Sequence, residues 1–267
     1  MSLYRTRFLG EPLLMRLPSD EAAEALAYCL ALPELEPVER LEKAPLLDLG
    51  DRPGLAEEVP ERLSGLLLEA VHGLAGALEE RFLFLHASAF VHEGKAVLLC
   101  GPSGSGKTTL AMAAEVLGYP VLGEDLVVVD WKRGRLRGLA MPFRPRPFTR
   151  ALLDGWFRAR GGSWAGDAPV RPRAARGDFP LDRVCLAGAD EDTAAGALLS
   201  CAFGMDFVPP AVLMGRIARA IQQAAVLRCP PLRIPPGTSE ARAKQEMAQW
   251  LSRPHNPCPE ALFGRGS

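Results

Sequence analysis

The residues Gly101-Pro102-Ser103-Gly104-Ser105-Gly106-Lys107-Thr108 follow the pattern GxxxxGK[ST], and Thr109 continues it. Glycines in such a run let the backbone curl until successive N–H groups point at phosphate oxygens. The first turn of the following helix adds its positive end. The pattern assigns Lys107 to the β- and γ-phosphates of a nucleotide and the Thr108 hydroxyl to Mg²⁺. Its surroundings agree, since Ala96-Val97-Leu98-Leu99-Cys100 reads as a buried strand and Lys107 to about Leu117 as a helix. ATP and Mg²⁺ are the expected ligands, with Lys107 at a solvent-facing helix start.

Transfer of a phosphoryl group needs a metal to neutralise charge and a carboxylate to orient or deprotonate the acceptor hydroxyl. Glu124 and Asp125 lie between two apolar runs, Pro120-Val121-Leu122 and Leu126-Val127-Val128-Val129, and are the expected pair. Asp130 competes with them, because an apolar strand ending in Asp also suits a metal-binding carboxylate. His86, in Leu85-His86-Ala87-Ser88, is either a histidine satisfied by a carbonyl at a strand end or a group at the site. His72 falls on an apolar helix face and reads as structural, whereas His92 and His255 read as solvated. Arg144, Arg146, Arg150, Arg171, Arg173 and Arg176 form a solvated basic surface, or else a clamp for phosphates or an acidic peptide.

The run from Leu85 through the loop to Gly118-Tyr119-Pro120-Val121-Leu122-Gly123-Glu124-Asp125-Leu126-Val127 resembles the catalytic core of the bacterial HPr kinase/phosphorylase family. That family has a histidine before a hairpin, a phosphate-binding loop, and two acids ahead of a strand. The resemblance implies that His86 lies near the transferred phosphate. It implies that Glu124 acts as base toward a serine hydroxyl, with Glu in place of the family's usual Asp, and that Asp125 is the second acid and contacts the metal. The family's separate regulatory domain and its glycine-rich signature segment have no counterpart, so the chain is more similar to the shorter HPr-kinase-like proteins, some of which phosphorylate a serine of a small precursor peptide. The implied fold is an α/β P-loop domain of the HPr kinase/phosphoenolpyruvate carboxykinase type, with a mixed twisted sheet and a small N-terminal appendage. The implied partners are a nucleotide and a serine-bearing peptide or small protein. A small-molecule kinase on the same core, or a nucleotide-dependent switch without an acceptor, are the alternatives.

These groups need a scaffold, and 267 residues with 48% hydrophobic content supply enough apolar material for one large domain. The expected division is an N-terminal α+β appendage at 1–80, the kinase-like domain at 81–260 and a frayed tail at 261–267. Helices are expected from Ser19 or Asp20 onward and from Glu61 to Glu80. Leu83 to Val91 reads as one extended piece, Glu93-Gly94-Lys95 as a hairpin turn and Trp131 to Arg135 as a turn. Residues 136–148 read as an extended, proline-punctuated segment and 161–180 as a mobile arginine-rich loop. A strand at 184–186 and helices near 194–203, 210–225 and 239–251 complete the chain.

A net charge of −1 gives no global attraction to nucleic acid or anionic membrane. No apolar run reaches the roughly 20 residues that span a bilayer. Met1-Ser2-Leu3-Tyr4-Arg5 lacks the apolar core of a signal peptide, so the expected location is cytoplasmic. The six cysteines are scattered, form no CxxC pair and read as small buried apolar residues. Association into a homo-oligomer is left open.

Overall fold

The computed structural model describes residues 2–30, 32, 35–40, 43–50, 59–137, 139, 143, 145–159, 177–187, 194–222, 224–229 and 239–252. Arg144, residues 160–176, His255 and the tail lie outside them, and with them most of the arginine-rich stretch. In chain order the elements are β1 (Ser2–Phe8), β2 (Glu11–Leu17), α1 (Asp20–Leu30), β3 (Glu36–Pro37), β4 (Leu46–Asp48) and α2 (Val59–Leu78). There follow β5 (Phe82–Leu85), β6 (Ser88–His92), β7 (Lys95–Cys100), α3 (Lys107–Val116), β8 (Val121–Gly123), β9 (Val127–Asp130) and β10 (Arg135–Arg137). The chain continues with α4 (Pro147–Ala159), β11 (Asp178–Ala187), α5 (Ala194–Ser200), α6 (Pro210–Ala220), β12 (Ala225–Cys229) and α7 (Glu240–Ser252). The fold is mixed α/β.

At the N-terminus, β1 and β2 form a hairpin across Leu9-Gly10, both at positive φ, which matches the twist of the flanking strands. They sit at the centre of a four-stranded sheet in the order β3-β1-β2-β4. Ser19 caps α1 as expected, its hydroxyl accepting the Ala22 N–H at 3.2 Å. Phe8, Leu13 and Met15 pack with Leu26 of α1, Leu74 of α2, and Phe82, Phe84 and Val128 of β5 and β9. One apolar cluster therefore runs from the first hairpin to the strands that border the site.

The second sheet has eight strands in the order β5-β9-β10-β11-β7-β6-β8, with β12 also paired to β11. The first residues of β11 pair antiparallel with β10, and from Leu181 onward the strand runs parallel to β7, with β12 joining from Arg183. Along β7, Ala96, Leu98 and Cys100 face a cluster with Leu198, Leu213 and Ile217 of α5 and α6. Val97 and Leu99 face Met112 of α3, Leu153 of α4 and Met247 of α7. With both faces covered, β7 has no polar face to show, which explains its unbroken apolar run.

Several sequence expectations change. The extended piece from Leu83 to Val91 is two strands, with β5 beside β9 and β6 between β7 and β8. The break is at His86-Ala87, where the His86 N–H is taken by the Cys201 carbonyl at 2.6 Å. The extended reading of 136–148 fails at its end, because α4 begins at Pro147. Proline there supplies a preset φ and lacks only an N–H that a helix start leaves unbonded anyway. Residues 178–180 belong to β11 and not to a loop, and α6 stops at Ala220 so that β12 can add to the sheet.

Gly123 fixes the turn that follows β8. A Cβ built there would lie 2.4 Å from the Leu126 carbonyl oxygen, so the turn closes only around a hydrogen. Gly123→Ala must push the backbone at Leu126 aside, and a loss of about 1–3 kcal/mol is expected, the range for overpacking. Thermal unfolding of the two proteins measures it, and an equal or higher melting temperature for the variant would contradict the tight turn.

Candidate functional site

The strand β7 ends at Cys100, and the chain curls through Gly101–Gly106 before entering α3. Gly104 and Gly106 have φ of 85° and 93°, and a Cβ at either would meet nothing within 4 Å. Backbone conformation, not space, demands glycine at both. Gly106 is the N-cap of α3 and no side chain caps the helix, so the first-turn N–H groups have no side-chain acceptor. Ser105 adds a buried hydroxyl with no hydrogen-bond partner among the described residues.

Lys107 departs from the expected solvent-facing position: it is buried, only 6% exposed. Its ammonium donates to the carbonyls of Gly101 at 2.8 Å and Pro102 at 3.0 Å. The aliphatic stem is thereby packed under the loop while the charge is held at the loop's first residues.

Two chain segments cross between the halves of the sheet beside this loop. One, between β5 and β6, carries His86; the other, between β8 and β9, carries Glu124 and Asp125. Asp125 has φ 59°, a left-handed conformation uncommon outside glycine, of the kind that collects at functional turns. Its carboxylate lies 4.0 Å from His86 Nε2, and both side chains are about half exposed. The His86 ring stands edge-on to Phe203, which also meets the ring of His72. His72 thus packs structurally, as read, and His92 lies against Tyr119.

Glu124 points the other way. It is 2% exposed and accepts a hydrogen bond from the Thr108 hydroxyl at 2.5 Å. Burial first, and the neighbouring Asp125 charge second, push its pKa from 4.5 up to about 8, against the opposing effect of the Thr108 bond. A cleft of about 370 Å³ collects His86, Ser103, Gly104, Gly106, Lys107, Thr108, Thr109 and Asp125, and on a further side Arg146 and Thr149. Thr149 is buried and shares a 2.7 Å hydrogen bond with Thr109, which seats α4 on the start of α3.

The structure therefore brings together the loop, Thr108, Thr109, His86 and the acid pair, while it separates the two acids by role. Asp125 lines the open cleft and Glu124 lies behind Thr108. Asp130 is not at the site. It closes β9, where its buried carboxylate pairs with the more exposed Arg81 and Arg133 and accepts the Arg133 N–H at 3.2 Å. Neither family models nor curated proteins match the chain.

Thr108 and Asp125, which both line the cleft, offer the hard oxygen donors that suit Mg²⁺ in the company of phosphates. The curled loop, the uncapped helix start and the buried ammonium suit the phosphates themselves. Cys100, Cys185 and Cys201 are buried and outside any disulfide among the described residues, as their apolar reading requires. Sequence reasoning gave no role to Cys201, yet its thiol is pushed down to about 6, chiefly by a hydrogen bond from Cys100 and also by the Gly101 backbone and Lys107. Thr149 was missed altogether, since nothing local in the sequence links it to a loop 40 positions away.

Glu124 makes stability depend on pH. A carboxyl whose folded pKa is raised stabilises the fold fully below about 4.5, and that contribution is lost as the pH rises through about 8. Glu124→Gln removes the titration, so the variant should gain on the parent across this window. Above pH 8 the relative gain should be on the order of a few kcal/mol. Melting temperatures of both proteins across the range test this, and a constant difference between them would refute the raised pKa.

Proposed function

We propose that the chain is a P-loop phosphotransferase of the HPr kinase-like type. It moves the γ-phosphate of ATP, with Mg²⁺, to a hydroxyl group, best matched by a serine of a peptide or small protein. The observation that carries this reading is the division of the acid pair around the loop. One carboxyl is bonded to Thr108 and the other stands with His86 at the mouth of the same cleft.

In this reading the loop N–H groups and Lys107 hold the β- and γ-phosphates, Lys107 exchanging its bonds to the Gly101 and Pro102 carbonyls for phosphate oxygens. Thr108, oriented by Glu124, would hold Mg²⁺, which supplies divalent charge against the phosphates. Asp125 is the better base, because a group 2% exposed behind Thr108 has no access to an incoming hydroxyl whereas Asp125 does. This reverses the division that the family resemblance implies. Asp125 takes the acceptor's proton as the acceptor oxygen bonds to the γ-phosphorus, and the bridging oxygen departs with ADP. His86, with Nε2 4.0 Å from the Asp125 carboxylate, stands beside it at the mouth of the cleft.

Among the described residues no helix is long and apolar enough to cross a membrane. The test is single-turnover transfer from labelled ATP to serine-containing peptides, alongside nucleotide affinity with and without Mg²⁺. Asp125→Asn should retain nucleotide binding and lose about 10²- to 10⁴-fold in transfer, the usual contribution of a positioned base. Glu124→Ala, which removes the acceptor that orients Thr108, should weaken the Mg²⁺-dependent part of binding. Lys107→Ala should lower transfer at least about 10²-fold. Transfer by Asp125→Asn at the parent rate would remove Asp125 as base, and a parent protein that binds no nucleotide would remove the reading.

A further inference from the structure

Arg146 immediately precedes α4, is exposed, and lines the same cleft as the loop and Asp125. Among the described residues its partner is the Ser103 hydroxyl, to which Nη2 donates at 3.2 Å, and no carboxylate pairs with it. Its neighbour Arg150 is different, for there the guanidinium Nε is turned back onto the Pro145 carbonyl at 3.1 Å and serves the helix start. Arg146 is thus a permanent positive charge held over the loop.

The position along the loop decides which phosphate this charge would meet. Lys107, whose type of position reaches the β- and γ-phosphates, lines the cleft while its ammonium rests on the carbonyls of Gly101 and Pro102, so the outer phosphates belong at this end of the cleft. Ser103 is the next residue, and the guanidinium rests on it. The mounting is firm as well as well placed, because Thr149, buried in the first turn of α4, is bonded to Thr109 in the first turn of α3. The helix that carries Arg146 is therefore fixed to the helix that opens from the loop.

Resting on the reading of the cleft as a nucleotide site, we infer that Arg146 is a specificity residue for the terminal phosphate. It distinguishes a nucleoside triphosphate from a diphosphate. A guanidinium presents a planar fork of donors that matches two phosphate oxygens at once and remains charged at all working pH values. Exchanging the Ser103 hydroxyl for phosphate oxygens replaces a neutral acceptor by a charged one, so the contact strengthens when a triphosphate enters. A diphosphate leaves Arg146 on Ser103 and gains nothing from it.

The experiment is calorimetric titration of the full chain with Mg²⁺ and either ADP or the non-hydrolysable β,γ-imido analogue of ATP, for the parent, Arg146→Gln and Arg146→Lys. The Gln variant is expected to lose about ten- to hundredfold in affinity for the triphosphate analogue, the span of one hydrogen-bonded charge contact, with ADP affinity nearly unchanged. The Lys variant, which keeps the charge without the fork, should fall between the two and guards against a Gln variant that folds poorly. Equal losses for both nucleotides, or none for either, in a protein whose parent form binds both, would overturn the assignment to the terminal phosphate while leaving the nucleotide site standing. A parent that binds neither nucleotide would overturn both together.

Discussion

The hydrogen bond from Thr108 to the buried carboxyl of Glu124 is the contact on which the cleft depends. It joins two units that share no local sequence: the loop with its helix α3, and the turn between β8 and β9. A carboxyl only 2% exposed is costly to ionise, and with Asp125 beside it the proton is retained up to about pH 8. Thr108 is the polar partner that makes this burial tolerable. Because Glu124 is thereby pinned inward, the next residue is turned outward, and the left-handed φ of Asp125 is the backbone's way of achieving both.

The sheet supplies the second constraint. β5 leads into β6 and β8 leads into β9 by crossing between its two halves, so two unrelated segments are forced to lie side by side next to the end of β7. The segment after α5 locks one of these crossings: Cys201 accepts from His86, Ala202 bridges Leu85, and Phe203 donates its N–H to Phe84 at 2.8 Å. His86 is consequently positioned by backbone bonds on the 201–203 segment and by the Phe203 ring, leaving its imidazole free to face Asp125. The N-terminal sheet contributes from behind, since its apolar face covers Phe82, Phe84 and Val128 of the strands on either side of the crossings. Burial of these large side chains makes the crossing strands rigid, at about 1.5–3 kcal/mol for each fully buried one.

Charge at the loop is arranged with few counter-ions. Lys107 rests on carbonyl dipoles and Arg146 on a hydroxyl, while Asp125 stands 4.0 Å from an imidazole. Charges satisfied by neutral groups can be transferred to an anionic ligand without first breaking a strong ion pair. Asp130 shows the contrast, being committed to Arg81 and Arg133 at the far end of β9.

The loop, the strand before it, the helix after it and the two acids ahead of a strand are all legible in the amino-acid order. These depend on interactions between neighbours in the chain: glycine dihedrals at Gly104 and Gly106, the apolar run of β7, and the cap at Ser19. What the sequence did not contain was every decision made across a long loop. Tertiary packing turned Glu124 inward to Thr108 and Asp125 toward the cleft, gave Asp130 to arginines elsewhere, and buried Lys107. It alone split Leu83 to Val91 into two strands in different places, because the partner that breaks the run is the Cys201 carbonyl. Thr149 was hidden for the same reason, and Arg146 stood out only as one of six arginines that could be a solvated surface or a phosphate clamp. Their roles are set by contacts with Ser103 and Thr109, some 40 residues away in the chain, and no periodicity or propensity records a contact of that separation.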